Sequence, residues 1–581
     1  MFKELSLLNN KWSLKNYNER FALTLSQRNK ISLTLAQLLS MRNIKFEDVE
    51  DYLNLNLHNN LPNPFLLKDM ETAINRIIQS IEKNENIGII ADYDVDGSTA
   101  AAILIKFFKF FQNKLFLKIP DRLNEGYGPN HRIMKYFLKE KINLVITLDC
   151  GTSSFGIIDN EKYNNIDVIV IDHHISEAKL PNVFSIINPN RFDENSEFNE
   201  MAAVGVTFLV LMALRKRLRQ KNFFSKLKEP NLLSFLDLVA LGTVCDVVKL
   251  DNYNRIFVKT GLDLIQKRKN KSIAQIIDNS NLYNTPTSSD LGFVIGPQLN
   301  AASRIDDSTL PSKLLISNDK GEIEKISRKL ILFNEKRKLI ENNIFEEALI
   351  QAKKQIKNNF ILVHSFGWHK GVLGIIASRL INQYYKPTIV ISFNQNEGVG
   401  SARSIEGIDL GNIILSAKNI GLLETGGGHR MAAGLKIKKT LLDDFHSYLT
   451  KCFYKYEKSI FQKVEEFDLK ISLNTINLNL LEDIEKLEPF GKGNEEPKFI
   501  ISDIKIDYVK ILKEKHLLVF FKSDNSINLR AISFNCINTK LGEYLLNYKN
   551  YNFIFGCKIK RDKFNKLFQP QMIIFDAIIL N

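Results

Sequence analysis

Three short apolar, β-branched runs, Ile87 to Ala91, Leu144 to Leu148 and Val168 to Ile171, constrain the fold more than any other feature of the chain. Runs of this length and type read as strands buried on both faces of a parallel sheet. Helix-length patterns separate them. The expected core is therefore α/β, a doubly wound parallel sheet, in which ligands bind beyond the carboxyl ends of the strands.

Each run stops at that edge on residues that carry chemistry. The first runs into Asp92, Asp94 and Asp96 in ADYDVDG, before the helical pattern STAAAILIKFF. If that segment stays extended, side-chain alternation sends all three carboxylates to one side, and Gly97 permits the turn into the helix. The second run ends LVITLDCGTSS, with Asp149 just past it, and the third ends VIVIDHH, with Asp172, His173 and His174. Further on, DLVALGTVCDVVKL sets Asp246 in an apolar stretch, where an unpaired charge is costly. A lone Asp at a strand end serves as a helix cap or turn residue, and D-x-D-x-D-G also begins calcium loops. Such a loop needs a closing Glu and two flanking helices, and this segment has neither. The coincidence on successive strands favours a metal centre. Oxygen and imidazole ligands without thiolates suit Mn²⁺ or Mg²⁺, and there are enough of them for two ions. The residues alone therefore read as a two-metal phosphoesterase, one ion pair activating water and stabilising the leaving oxygen.

Length and composition fit that reading. The 581 residues exceed one hydrophobic core and predict two to four domains. A hydrophobic share of 44% with 25% charged residues describes a folded soluble chain, and excludes wholesale disorder or a disulfide scaffold. Met1 to Trp12 carry Lys3, Glu4 and Lys11 and lack the uncharged core of a signal peptide. The most apolar helical run, Ala100 to Phe111, is broken by Lys106 and Lys109 and is too short to cross a bilayer. Five cysteines without CxxC spacing indicate neither a disulfide framework nor a thiolate zinc site, so a reducing cytoplasm is expected. The balance of 79 Lys+Arg against 65 Asp+Glu, net +14, suits a polyanionic partner, with codon bias toward Lys, Asn and Ile as an equal explanation.

Residues 1–83 read as helical and connecting material, with a helix from Asp69 to Glu82 after Pro62 and Pro64. Residues 84–317 form the expected catalytic domain. Residues 318–357 form a polar helical connector, or else an ordinary surface helix. A second α/β lobe follows over 358–460, with strands Phe360 to Val363 and Thr388 to Ser392 and a helix in GVLGIIASRL. Over 461–581 the runs PKFIISDIKI, HLLVFFK, INLRAISF, YNFIFGCKI and MIIFDAIIL predict a small antiparallel β-domain of barrel type.

The segments ADYDVDG, TLDCG, IDHH and VCDVV, in that order, resemble the DHH phosphoesterase superfamily. The rest of the chain is similar to its RecJ family of single-strand-specific exonucleases through PDRLNEGYG, GPQLNAASRI, HKGVLGIIASRL, GSARS, GGGHRMAAGL and LEPFGKGNEEPKF. The resemblance runs from about Pro62 to the C-terminus. It implies metal ligation by Asp94, Asp96, Asp149, His173 and Asp246, with Asp92 among them or just behind. It implies that His174 faces the scissile phosphate, with a second metal ligand or a supporting group as open alternatives. Arg304 would act beside it as a catalytic group, and Arg122, Ser401 and Arg403 would hold phosphate, since guanidinium forks match phosphate oxygens. Taken singly, each arginine would read as a surface ion pair. Gly427, Gly428 and His429 would contact substrate in the second lobe, a DHH-associated domain, against the alternative of a plain tight turn. The β-domain resembles the OB-fold of the family, with Phe520, Phe521, Lys522, Arg530 and Phe534 as candidate strand contacts and half of the aromatics assigned to the core.

The implied activity is 5′→3′ hydrolysis of single-stranded DNA to mononucleotides with two Mn²⁺ or Mg²⁺ ions, in recombination and repair. The implied partner is single-stranded DNA with a 5′ end, with a single-strand-binding protein and a helicase as candidate deliverers, no membrane, and a monomeric enzyme. The chain stops soon after the β-domain, so the extra C-terminal partner-binding domain of longer relatives is not expected. A small-substrate DHH enzyme acting on oligoribonucleotides, cyclic dinucleotides or pyrophosphate would need neither the β-domain nor the basic balance. A non-catalytic DNA-binding protein would not keep every ligand position filled. Cys150 and Cys245, beside Asp149 and Asp246, raise a redox reading in which metal charge lowers a thiol pKa, against the plainer reading of inert buried cysteines.

Overall fold

In a computed structural model that describes residues 4–57, 61–225, 227–282, 284–522, 529–562 and 569–580, the chain begins with a short strand, β1 (Lys11–Leu14). The catalytic sheet begins at β2 (Ile87–Ala91). That sheet continues with β3 (Leu115–Lys118), β4 (Leu144–Leu148), β5 (Asp167–Ile171) and β6 (Ser185–Ile187), all parallel, in the order β3-β2-β4-β5-β6. Every residue of β2 and β4 is buried, which is why these segments are continuously apolar. The chain passes from β2 to β3 on one side and returns to β4 on the other. The strand order thus reverses between β2 and β4, where open α/β sheets place their ligands. The helices Ala203–Gln220 and Leu236–Cys245 pack on the helix Val95–Phe108 that follows β2.

The connector is one 34-residue helix, Lys320–Lys353, capped by the Asp319 carboxylate on the Glu322 amide at 2.7 Å. Its first half buries Ile323, Ile326 and Leu330 in the catalytic core, and its second half buries Ile344, Phe345, Ala348 and Ala352 in the next lobe. It is a stiff bridge with an end in each core. The second lobe holds β7 (Ile361–Phe366), β8 (Thr388–Asn394), β9 (Glu397–Arg403), β10 (Thr425–His429) and β11 (Ala432–Lys438), in the order β10-β11-β9-β8-β7. Only β7 and β8 are parallel.

The C-terminal sheet has the order β13-β14-β18-β19-β17-β16-β15, built from β13 (Leu469–Ile471), β14 (Phe499–Ile501), β15 (Ile506–Leu512), β16 (His516–Phe521), β17 (Arg530–Ser533), β18 (Asn552–Arg561) and β19 (Pro570–Leu580). It is mixed, where an antiparallel domain was expected. The pairs β13–β14 and β17–β19 are parallel: the helix Leu478–Glu485 carries the chain back between the first two, and β18, antiparallel to β19, intervenes between the second two.

The first 83 residues serve two distant cores. The helix Met70–Glu82 packs in the catalytic core, whereas Leu25, Leu35, Leu38 and Leu39 enter the C-terminal core beside Phe499, Leu517 and Phe555. Strand β1 pairs in parallel with β12 (Val464–Phe467), and the Trp12 indole, the Asn10 amide and the Leu8 backbone amide all donate to the buried Asp576 carboxylate of β19. Arg255, 2% exposed, bolts this assembly to the catalytic lobe. Its guanidinium donates to the carbonyls of Tyr52 at 2.6 Å, Leu487 at 3.1 Å and Glu488 at 3.2 Å.

Candidate active site

The switch point gathers carboxylate and imidazole groups from successive strand ends. Asp92 follows β2 directly, Asp149 follows β4, and Asp172, His173 and His174 follow β5. Asp94 caps the helix Val95–Phe108 by accepting from the Gly97 amide at 3.1 Å. The helix begins at Val95, so Asp96 sits in its first turn while Asp94 before it is extended, a correction to the reading in which all three share an extended segment. Gly97 also works differently from the expected turn. It lies inside the helix, where a Cβ would stand 2.5 Å from the Asp92 carbonyl oxygen, so glycine is needed for close approach. Asp246 caps the C-terminus of the helix Leu236–Cys245.

The distances make one cluster. His173 Nε2 lies 3.3 Å from Asp149 Oδ1, 3.5 Å from Asp246 Oδ2 and 3.8 Å from Asp96 Oδ2. Ligand atoms of Asp96, His173 and Asp246 form one group, those of Asp92, Asp94 and Asp149 a second, and those of Asp149, His173 and His174 a third. Asp149 is common to two of them, as a residue shared by two ions would be. Asp149 also takes a left-handed backbone, φ +60°, and Val247 beside Asp246 does the same at φ +59°, unusual for a β-branched residue.

Burial without partners fits divalent ions here. Asp92 Oδ1, Asp149 Oδ1 and His173 Nε2 are buried and have no hydrogen-bond partner among the described residues. Burial pushes the Asp149 carboxyl well above its usual range, with Asp94 and Asp96 adding to the effect, and does the same to Asp92 with Asp94. Asp96 is pushed up to about 7 by burial and then Asp246, although the amides of Ala203 and Val204 donate to it at 2.6 and 2.8 Å; Asp246 is pushed up to about 7 by burial and then Asp94. Five mutually repelling carboxyls, most of them buried, call for cations, and an all-oxygen and imidazole donor set suits Mn²⁺ or Mg²⁺.

His174 is held differently from His173. Its Nδ1 lies 2.8 Å from Asp172 Oδ1 and 3.1 Å from the Tyr127 hydroxyl, and that hydroxyl donates to the Asp149 carbonyl at 2.8 Å. Burial lowers the His174 pKa, but the Asp172 hydrogen bond and charge outweigh it and raise it to about 9. Asp172 is held well below the carboxylate range: burial opposes this, while the His174 bond, both histidines' charges and the Thr152 amide prevail. Asp172 and Tyr127 are site residues to which the sequence reading gave no role. The Asp directly before the histidine pair was a signal for the first, but only tertiary structure brings Tyr127 to the site.

Three arginines from both lobes lie near one another, and the charge of one of them, Arg122, is felt by Asp92. Arg304 donates to the Gly371 carbonyl at 2.9 Å, so the catalytic and second lobes touch at this residue. Arg304 is pushed down to about 9 by burial and then by the charges of Arg122 and Arg337, and Arg403 is lowered by burial and then Arg122. Arg122 lies 4.7 Å from the Tyr93 ring. Such mutually repelling guanidinium groups would be relieved by an anion. Across the second sheet Ser401, Gly434 and Gly427 pair in one row and Arg403, Ala432 and His429 in another. The glycine cluster therefore lies on a strand, β10, and not in a tight turn. Gly427 and Gly434 have nothing within 4 Å of a would-be Cβ, so this face is open backbone, and a Cβ on Gly428 would stand 2.3 Å from the Ala432 carbonyl oxygen.

The C-terminal candidates separate. Phe521 is core, Phe520 stacks on Tyr508 with ring centroids 4.1 Å apart, Lys522 and Phe534 are exposed, and Arg530 is ion-paired with Asp562. Burial pushes the thiols of Cys150 and Cys245 up, and nearby carboxylates add to it, the opposite of thiolate activation.

Comparison with known proteins follows this layout. The model of the DHH family, N-terminal domain, matches residues 86–243, that of the DHHA1 domain residues 357–455, and that of the RecJ OB domain residues 467–576. The single-stranded-DNA-specific exonuclease RecJ of Haemophilus influenzae is 34% identical over 499 residues, covering 82% of this chain and 86% of its own. The structure of RecJ from Thermus thermophilus in complex with Mn²⁺ shares the fold, with a TM-score of 0.82 at 23% identity over 99% of this chain and 80% of that one. An exonuclease RecJ bound to manganese superposes with a TM-score of 0.58 at 29% identity, over 67% of this chain and 96% of that one.

Proposed function

The chain belongs to the RecJ family of single-stranded-DNA-specific exonucleases, and from that premise we propose that it hydrolyses single-stranded DNA from the 5′ end to mononucleotides, in recombination and repair. The observation that carries this reading is the buried trio of unpartnered atoms, Asp92 Oδ1, Asp149 Oδ1 and His173 Nε2, at the switch point of the sheet.

Asp94, Asp96, Asp149, His173 and Asp246, with Asp92, would hold two Mn²⁺ or Mg²⁺ ions, which supply an activated water and charge stabilisation at the leaving oxygen. The protein's own groups do the rest. Asp172 fixes Nδ1 of His174, which leaves Nε2 as the nitrogen that donates to a phosphate oxygen. Arg304 takes the phosphate from the same side, and Arg122, Ser401 and Arg403 position it from the rims of the two lobes. The open backbone at Gly427, with Gly428 and His429 beside it on the same strand, accommodates the nucleotide being removed.

A monomer suffices, because one chain supplies every group of the site. A single-strand-binding protein and a helicase are the partners such an enzyme draws on, since both present unpaired strands. A cytoplasmic setting agrees with five free cysteines. Among the described residues no helix is long and apolar enough to cross a membrane. The test is a single strand labelled at either end, incubated with Mn²⁺, beside a dinucleotide and a metal-free control. Release of labelled mononucleotide first from the 5′ end, and only with metal, is expected. Preference for the dinucleotide would instead indicate a small-substrate enzyme, and binding without cleavage a non-catalytic one.

A further inference from the structure

Three segments lie side by side at the Asp246 edge of the cluster, and each leaves a large side chain in solvent. The turn after the helix Leu236–Cys245 carries Asp246 and then Val247, 60% exposed in its left-handed conformation. A π-helical turn, Leu291–Ile295, packs on one flank. The Cys245 thiol donates to the Leu291 carbonyl at 3.5 Å, and a Cβ on Gly296 would stand 2.5 Å from Cys245 Sγ. This turn presents Phe293 at 82% exposure, although π-helical turns are rare and concentrate at functional sites. On the other flank lies the loop of the C-terminal domain between the helix Leu478–Glu485 and β14. Leu250 donates to the Lys492 carbonyl at 2.7 Å, Ser288 donates to the Phe490 carbonyl at 2.5 Å, and Gly491 and Gly493 allow close approach to Leu250 and Lys249. Lys492 is exposed, and its charge is felt by the Asp246 carboxylate.

We infer that Phe293 and Lys492 form a nucleotide subsite beside the metal cluster, in which the Phe293 ring stacks on a base and the Lys492 ammonium holds the adjoining phosphate of a single strand. The inference rests on the proposed action on single strands. A ring exposed on a turn of this kind offers a face on which a base can stack regardless of sequence. A cation beside it supplies the phosphate contact that every nucleotide needs. Lys492 lies beyond the catalytic lobe in sequence, so the subsite is complete only when the C-terminal domain is docked. That docking would couple strand binding at this domain to the site of cleavage.

The test uses the full chain with Mn²⁺ and two substrates, a long single strand and an aryl ester of one nucleotide, which has no neighbouring base. Phe293→Ala should raise KM for the long strand by about tenfold, the scale of one lost base–aromatic stack, with kcat and the aryl ester unchanged, and Phe293→Trp should restore it. An abasic site walked along the strand should weaken the wild-type protein at one position and have no effect there on Phe293→Ala. Lys492→Gln should reduce the salt slope of strand binding by about 0.7, and Lys492→Arg should not. Identical abasic profiles for wild type and Phe293→Ala, or an unchanged salt slope in Lys492→Gln, would overturn the subsite. A wild-type protein inert on the long strand but active on the aryl ester would overturn the proposed function itself.

Discussion

The carboxylate of Asp172 sits 2.8 Å from Nδ1 of His174 and also accepts from the backbone amides of Thr152, His173 and His174. The ring is thereby fixed from one side, and Tyr127 adds a second contact to the same nitrogen. Asp172→Asn keeps an acceptor but removes the charge that favours the imidazolium. Its kcat on a single strand should fall by about 10–100-fold, the usual cost of losing an orienting carboxylate, with KM little changed. Tyr127→Phe should show a smaller loss of the same kind. Steady-state kinetics decide this, and a rise in KM with kcat intact would place the pair in substrate binding.

Asp149 joins two of the three ligand groups and is the most crowded carboxyl of the cluster. Asp149→Asn should cut hydrolysis by about a hundredfold or more, because a shared ligand has no substitute. Without metal the same change relieves like-charge repulsion. If that relief is worth about 1 kcal/mol, the chelator-treated variant should melt about 1 °C above the chelator-treated wild type. A lower melting temperature would mean that Asp149 supports the fold through bonds of its own.

Metal binding should depend on pH with a definite sign. Asp96 and Asp246 are pushed up to about 7, so the metal-free site still holds protons at neutral pH that a free Asp would have lost. A cation must displace them. Affinity for Mn²⁺ should therefore strengthen as pH rises from about 6 to 8, by roughly tenfold per pH unit for each proton released. Calorimetric titration in buffers of different ionisation enthalpy counts those protons. A flat affinity with no proton release would show that the carboxyls are already ionised.

The carboxylates of this site were legible because buried parallel strands are short and apolar, so Asp92, Asp149 and Asp172 mark the strand ends within a residue. The runs ending at Ala91 and Leu148 become strands over those same residues. Tyr127 was not legible as a site residue, since its role depends on a turn that packs against Asp149 from another part of the sheet. Gly426 to Gly428 carried two readings, a phosphate loop or a turn, and the fold places them on an edge strand because β11 supplies the pairing that their own sequence does not specify. The strands β3, β6, β9 and β11 were missed, being short or rich in Gly and charge, and stabilised by neighbours already in place.

Nothing in the sequence pattern marks the two ends of the chain as one body, and that changes what a truncation would report. Cutting at Phe461 is the obvious way to free a catalytic unit, but it would strip Leu25, Leu35, Leu38 and Leu39 of the core they share with Phe499, Leu517 and Phe555. Each buried leucine left exposed costs about 1.5–3 kcal/mol, so residues 1–461 should aggregate or melt well below the full chain. Removing the N-terminal helices along with the C-terminal domain, to leave residues 61–461, takes both halves of that core away together. It also removes Tyr52, Leu487 and Glu488, the carbonyl partners that cover Arg255, so in this core fragment the guanidinium passes to water and needs no partner. The fragment should keep metal-dependent cleavage of very short oligonucleotides while its affinity for long strands and the salt slope of that affinity both fall. Thermal melts of the three proteins followed by strand titrations make the comparison. If residues 1–461 melt with the full chain, the shared core contributes little and the N-terminal helices are dispensable.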